Sequence, residues 1–142
     1  MNQKDTLILE QLMRDGRKSA ADIARALKMP RATVQSRIVK MNQEGIIKQF
    51  KAIPDFEKLG RPIKAYILVQ VKGGLSVRSV AEKIAGIPQT GEVVLISGPW
   101  DILLSIRTTS VEEMGSLVDR LKAIKGVFRT NTCFSFQNPT DS

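Results

Sequence analysis

Arg31, Thr33, Gln35, Ser36, Arg37 and Lys40 place six cationic or hydrogen-bonding side chains within ten residues that hold no acid. Arg and Gln can each make two bonds to one base edge, while Ser, Thr and Lys reach bases or phosphate oxygens. That chemistry suits the major groove of a duplex. It is also the make-up of a plain solvated face, so the elements that carry these residues matter. Val34, Ile38 and Met41 recur at i, i+4 and i+7, which predicts a helix with those three turned inward and the polar set turned outward.

The preceding residues predict a partner helix. Ser19 is an N-cap, with its hydroxyl set to accept a backbone N–H near Asp22, and Ile23, Ala24 and Leu27 form an apolar stripe. Lys28-Met29 is the turn. Pro30 falls in the first turn of the next helix, where its missing N–H costs nothing. Gly45 sits where a helix C-terminus wants a residue free to take positive φ. Helix, short turn and helix is the spacing of the motif whose second helix enters DNA. An amphipathic surface helix with no ligand stays open as the other reading.

Charge adds weight to the first. Between Arg17 and Lys51 nine basic residues, with Arg17 and Lys18 leading them, face two acids, Asp22 and Glu44. The whole chain carries +8, and most of that surplus lies before residue 64. Such a patch attracts polyanions. No stretch sets Trp or Phe against Lys or Arg on opposite helix faces, so an anionic membrane is a poor partner, and no apolar run approaches the roughly 20 residues of a membrane span. The chain has no His and a single Cys. That removes the commonest general base and the commonest metal ligand, leaves a zinc site only carboxylates, and rules out an internal disulfide. No metal or other cofactor is expected. The N-terminus does not read as a signal peptide, and the expected location is the cytoplasm.

Three regions follow from the pattern. Residues 1–45 are the helix-turn-helix domain, opened by a helix over Asp5–Asp15 with Ile8, Leu9 and Leu12 on its stripe. Residues 46–63 are a short strand, Ile46 to Ile53, and a linker containing Gly60 and Pro62. Residues 64–142 alternate strands and helices: Ala65–Val71, a helix capped by Ser76, Glu92–Ser97, Ile102–Arg107, a helix capped by Ser110, and Val127–Phe136, ahead of a polar tail over Gln137–Ser142. The fold class is α+β: a three-helix, winged-type helix-turn-helix domain and a ferredoxin-like βαββαβ domain. Two helices cover one face of such a sheet; dimerisation is the simplest cover for the other. Cys133, between Thr132 and Phe134, is expected in the core.

Taken in order, Asp5-x-x-Ile8-Leu9, Asp15-Gly16-Arg17, Ile23-Ala24, Thr33-Val34-x-x-Arg37-Ile38, Glu44-Gly45-Ile46-Ile47, Leu59-Gly60, Gly98-x-x-Asp101 and Gly126-Val127 resemble the Lrp/AsnC (leucine-responsive, feast/famine) family of transcription regulators over nearly the full length. The resemblance implies a sequence-specific DNA-binding regulator. Its partners would be double-stranded DNA, an amino acid or related small-molecule effector, and further copies of itself, as a homodimer building to a tetramer or octamer. Paired recognition helices about 34 Å apart would meet a pseudo-palindromic operator. The family pattern has Gly in the turn and Ser at the recognition-helix cap; Lys28 and Pro30 stand there here, each at a cost of about 1 kcal/mol. The resemblance sets the effector near the loop Gly98-Pro99-Trp100-Asp101. There Gly98 leaves room for a ligand carboxylate and Asp101 accepts from an ammonium group, with Trp100 between them in the effector site and Thr130 and Thr132 as further candidates. On the residues alone, the same loop reads as an ordinary hairpin turn. Two other functions stay in view. One is a non-specific architectural DNA binder. The other is an enzyme on the same scaffold, as in sirohaem decarboxylases, which rely on the histidines this chain lacks.

Overall fold

The computed structural model describes residues 1–140, so Asp141 and Ser142 of the expected polar tail lie outside the described residues. The chain divides into two compact units, Met1–Ile53 and Pro54–Ser142. Among the described residues no helix is long and apolar enough to cross a membrane.

The first unit is three helices: α1 (Gln3–Arg14), α2 (Ala20–Leu27) and α3 (Arg31–Gln43). The start of α1 falls before Asp5 because Asn2 caps it. The Asn2 side chain accepts from the Asp5 N–H at 3.0 Å, and the Asp5 carboxylate accepts from the Asn2 N–H at 3.0 Å, a reciprocal capping box. Ser19 caps α2 as its position predicts, accepting from the Asp22 N–H at 3.1 Å. Lys28 ends α2 in the left-handed region at φ 53°. Pro30 is the N-cap of α3 and not a residue of its first turn, and no side chain caps that helix. Gly45 turns the chain away at φ 70°. The core is Ile8, Leu12, Ile23, Ala24, Val34, Met41 and Ile47, with Leu9, Leu27 and Ile38 packed at its margin.

The strand expected over Ile46–Ile53 does not form. A strand needs a neighbour to complete its ladder, and among the described residues this segment has no ladder partner. Its backbone serves the helix instead: the Ile47 N–H donates to the Met41 carbonyl at 3.1 Å, and the Ile47 side chain enters the helical core. The three-helix helix-turn-helix expectation is met, and no β wing accompanies it among the described residues.

The second unit is β1 (Ile63–Val71), α4 (Val77–Ala85), β2 (Thr90–Leu95), β3 (Ile102–Thr108), α5 (Val111–Ala123) and β4 (Val127–Phe134). The strands are antiparallel in the order β2-β3-β1-β4, the ferredoxin-like arrangement that the pattern predicts. Ala65, Ile67, Val69 and Val71 alternate along β1 on the buried side, against Val80, Ala81 and Ile84 of α4 and Met114, Leu117 and Leu121 of α5. The other face carries Tyr66, Leu68, Leu103 and Val94, and Tyr66 is 40% exposed.

Cys133 is exposed, which corrects its expected place in the core. It lies opposite Tyr66, so strand alternation points it to the uncovered face. Phe136 lies beyond the end of β4 and is fully exposed.

Lys28 is the one non-Gly residue at positive φ among the described residues, and its strain belongs to the turn between the two helices of the motif. The variant Lys28→Gly is expected to raise the stability of the helical unit by up to about 1 kcal/mol, read from denaturant midpoints.

Candidate nucleic-acid and effector sites

Helical periodicity from the buried pair Val34 and Met41 sets the outward face of α3. Arg31, Gln35, Ser36 and Lys40 are exposed there, in agreement with the polar set read from the sequence. The Ser36 hydroxyl donates to the Thr33 carbonyl at 3.1 Å, and Thr33 itself is half-buried at the edge of the face. Lys40 reaches Glu44, one turn on, at 3.7 Å across solvent, a pairing worth little when both groups are exposed. Ala32 and Val39 share the outward face with these polar groups, and Val39 is 43% exposed. A search for cations and amides passes them over. The signal that finds them is the same 3.6-residue period, which sets both away from Val34.

Arg37 departs from the expected face. Its Nη1 donates to Asp5 Oδ1 at 2.7 Å, and its side chain is 26% exposed. The reason is angular: position 37 borders the inward stripe, so a long side chain there crosses to α1 more readily than it extends to solvent. The Asn2 backbone N–H, and after it the Arg37 guanidinium, hold the Asp5 carboxyl below the usual carboxylate range. Arg17 is exposed, and its backbone N–H donates to Asp15 Oδ1 at 2.9 Å in the turn before α2. Lys18 is half-buried and donates to Gln11 Oε1 on α1, which ties it to the helical unit.

At the edge of the sheet, the loop between β2 and β3 has Gly98 at φ 112°, with open space where a Cβ would stand. Asp101 is not free for an incoming ammonium group through both oxygens: Oδ2 accepts from the Val71 N–H at 2.8 Å. Its backbone N–H donates to the Val69 carbonyl at 3.0 Å, and its carbonyl accepts from the Ile96 N–H at 3.0 Å. These bonds anchor the loop across the end of β1, where the β1–β3 ladder stops at Val69 and Ile102 and the Val71 amide on that side needs a partner. The Trp100 ring lies 5.0 Å from the Arg129 guanidinium, and Arg129 Nε donates to Gln70 Oε1 at 2.7 Å. Gln70 and Arg129 are register partners on the uncovered face. Thr130 and Thr132 pair with Val69 and Ile67 and so point to the helix-covered face; the structure does not bring them together with Trp100. Residue type alone does not mark Arg129 and Gln70 as a pair. Only the register, which spans 59 residues, sets them side by side.

A helix-turn-helix unit joined to a ferredoxin-like unit is an architecture used by transcription regulators, and the comparisons with known proteins decide for that class. Residues 1–42 match the AsnC-type helix-turn-helix domain and residues 64–142 match the Lrp/AsnC ligand binding domain. The chain belongs to the Lrp/AsnC family of transcription regulators. It is 40% identical over 139 residues to an uncharacterized HTH-type transcriptional regulator of Pyrococcus horikoshii, covering 96% of this chain and 93% of that one. A Pyrococcus furiosus protein of the same description is 39% identical over 139 residues, with the same coverage. Among solved structures, LrpC of B. subtilis superposes with a TM-score of 0.87 at 25% identity, covering 100% of this chain and 99% of that one. A Neisseria meningitidis transcriptional regulator in complex with L-Met shares the fold, with a TM-score of 0.91 at 20% identity over 98% of this chain and 92% of that one. The relatives are regulators and not enzymes.

Both units carry carboxylates whose charged form the fold favours. In the helical unit these are Asp5 and, beside Ser19 and Arg25, Asp22; in the sheet unit it is Glu113, which accepts from the Thr109 N–H and hydroxyl, both at 2.7 Å, and is held below the usual carboxylate range by them. A depressed folded value means the contribution is full above about pH 4 and is lost as pH falls through the folded value. Thermal midpoints are therefore expected to drop on acidification below about pH 4, with a smaller drop in Asp5→Asn for the helical unit and in Glu113→Gln for the sheet unit.

Proposed function

We propose that this regulator binds double-stranded DNA sequence-specifically through the outward face of α3, and that a small carboxylate-bearing effector, an amino acid being the plainest case, acts through the sheet unit. The observation that carries the DNA reading is the make-up of one helix face. Arg31, Gln35, Ser36 and Lys40 stand exposed opposite a buried stripe, and no acid occurs from Arg31 to Gln43. Gln35 and Arg31 are suited to base edges, Ala32 and Val39 to thymine methyl groups, and Lys40, with Arg17 before α2, to phosphates. Thr33, at the edge of the face, supports the others. Lys18 and Arg37 are engaged inside the unit and serve its shape.

The effector reading rests on the edge of the sheet. Trp100 and Gln70 flank the Arg129 guanidinium, whose fork matches a carboxylate, and the loop that carries Trp100 is open at Gly98. Asp101 serves by anchoring the loop. The relative solved with L-Met lends the amino-acid class its support. The uncovered sheet face, with Tyr66, Leu68 and Leu103, is the surface we assign to self-association into a dimer, the unit from which a tetramer or octamer is built.

Selection of bound duplexes from a random pool, with and without a mixture of the twenty amino acids, tests the whole reading. A preferred, pseudo-palindromic sequence is expected. The logarithm of affinity should fall linearly with the logarithm of salt concentration, and Lys40→Gln should lower that slope by about 0.9. Gln35→Ala should cost about 1–3 kcal/mol on the preferred duplex and little on random duplex. Arg129→Gln should abolish any change in selection caused by the amino acids. Equal binding to every duplex would favour an architectural role instead.

A further inference from the structure

We infer that the Asp5–Arg37 ion pair sets the angle at which α3 presents its outward face, which makes Asp5, a residue of α1, a positioning residue for sequence selectivity. The inference rests on the DNA reading above and extends it to a helix that the reading does not use.

Within α3, Val34 and Met41 are fully buried and Ile38 lies only at the margin of the core. So narrow a stripe fixes a line of contact but resists rotation about the helix axis weakly. Arg37 stands on one flank of that stripe and bonds across to Asp5, 32 residues earlier in the chain, at 2.7 Å. The anchor is itself fixed. Asp5 Oδ2 accepts from the Asn2 N–H, the Asp5 N–H donates to Asn2 Oδ1, and Oδ1 is left to Arg37. The Asp5 side chain is 14% exposed in this arrangement. Arg37 Nε is buried with no hydrogen-bond partner. A guanidinium that leaves one N–H unsatisfied is held in place by its ion pair, and removing either partner leaves the other charge uncompensated in a half-buried site.

The consequence for DNA follows from the difference between the two kinds of contact. Phosphate contacts made by long, flexible cations tolerate a rotated helix. Two-point contacts to a base edge do not. Loss of the pair should therefore lower discrimination and leave non-specific binding in place.

The test uses the full chain, the duplex that wild-type protein enriches most from a random pool, and unselected random duplex. Asp5→Asn and Arg37→Gln are each expected to lose about tenfold or more on the enriched duplex, and the double variant no more than the worse single. Affinity for random duplex and its salt slope should stay at wild-type values. Arg37→Lys, which can still pair with Asp5, should recover part of the loss. Backbone amide exchange without DNA supplies a second readout: both single variants should speed exchange from Thr33 to Met41 while Ile67 and Leu104 in the sheet unit keep their rates. The inference is overturned if Arg37→Gln alone loses affinity and flattens the salt slope by about 0.9, since Arg37 would then touch phosphate itself. It is equally overturned if Asp5→Asn changes neither discrimination nor exchange. A wild-type protein that enriches no duplex sinks the DNA reading, and the exchange measurement still decides whether the pair holds α3.

Discussion

Burial of Val34 and Met41 against Ile8, Leu12 and Ile23 is the constraint on which the helical unit depends, because it decides which side of α3 is left outside. Once those side chains are out of water, the helical period leaves no choice: Gln35, Ser36 and Val39 face solvent, and Thr33 and Arg37 fall at the borders. At about 25 cal/mol per Å² of apolar area, a core of seven side chains is small, which is why the polar ties around it matter. Asp5 to Arg37 joins α1 to α3, and Lys18 to Gln11 joins the turn before α2 to α1. Two of the cations that make the segment look like a polyanion surface are thus spent on holding it together.

The sheet unit solves a related problem at its edge. The β1–β3 ladder stops at Val69 and Ile102, which leaves the Val71 amide without a ladder partner, and Asp101 supplies the acceptor from the adjacent loop. The loop is thereby pinned to the end of β1, next to the strand that carries Arg129. An acidic side chain near a glycine looks like a ligand group when read by type. Here it completes the backbone. Under the proposed function, the cation beside the tryptophan is the group that meets a ligand.

Local features were the legible ones. Ser19, Ser76 and Ser110 each cap the helix that their position predicts, and Gly45 and Gly126 each take positive φ where an element ends. The βαββαβ order followed from alternation and punctuation. What the sequence hid was set by distance along the chain. Nothing near Arg37 announces Asp5, nothing near Arg129 announces Gln70, and Cys133 faces outward because its register on β1 pairs it with Tyr66. The segment Ile46–Ile53 is the opposite case: its composition is that of a strand, but a strand is a property of two segments, and the Ile47 amide bonds to the Met41 carbonyl at the end of α3. Lys28 shows a local cost accepted by the fold, a left-handed residue without glycine's freedom, held between two packed helices.

The central claim is that the outward face of α3 lies against base pairs. A photo-crosslinking amino acid introduced at Gln35, with another at the exposed Arg78 on α4 for comparison, tests it most directly in the presence of the enriched duplex. The account requires a DNA adduct from position 35 and essentially none from position 78. An adduct from position 78 with none from position 35 would mean that DNA meets another surface of the protein.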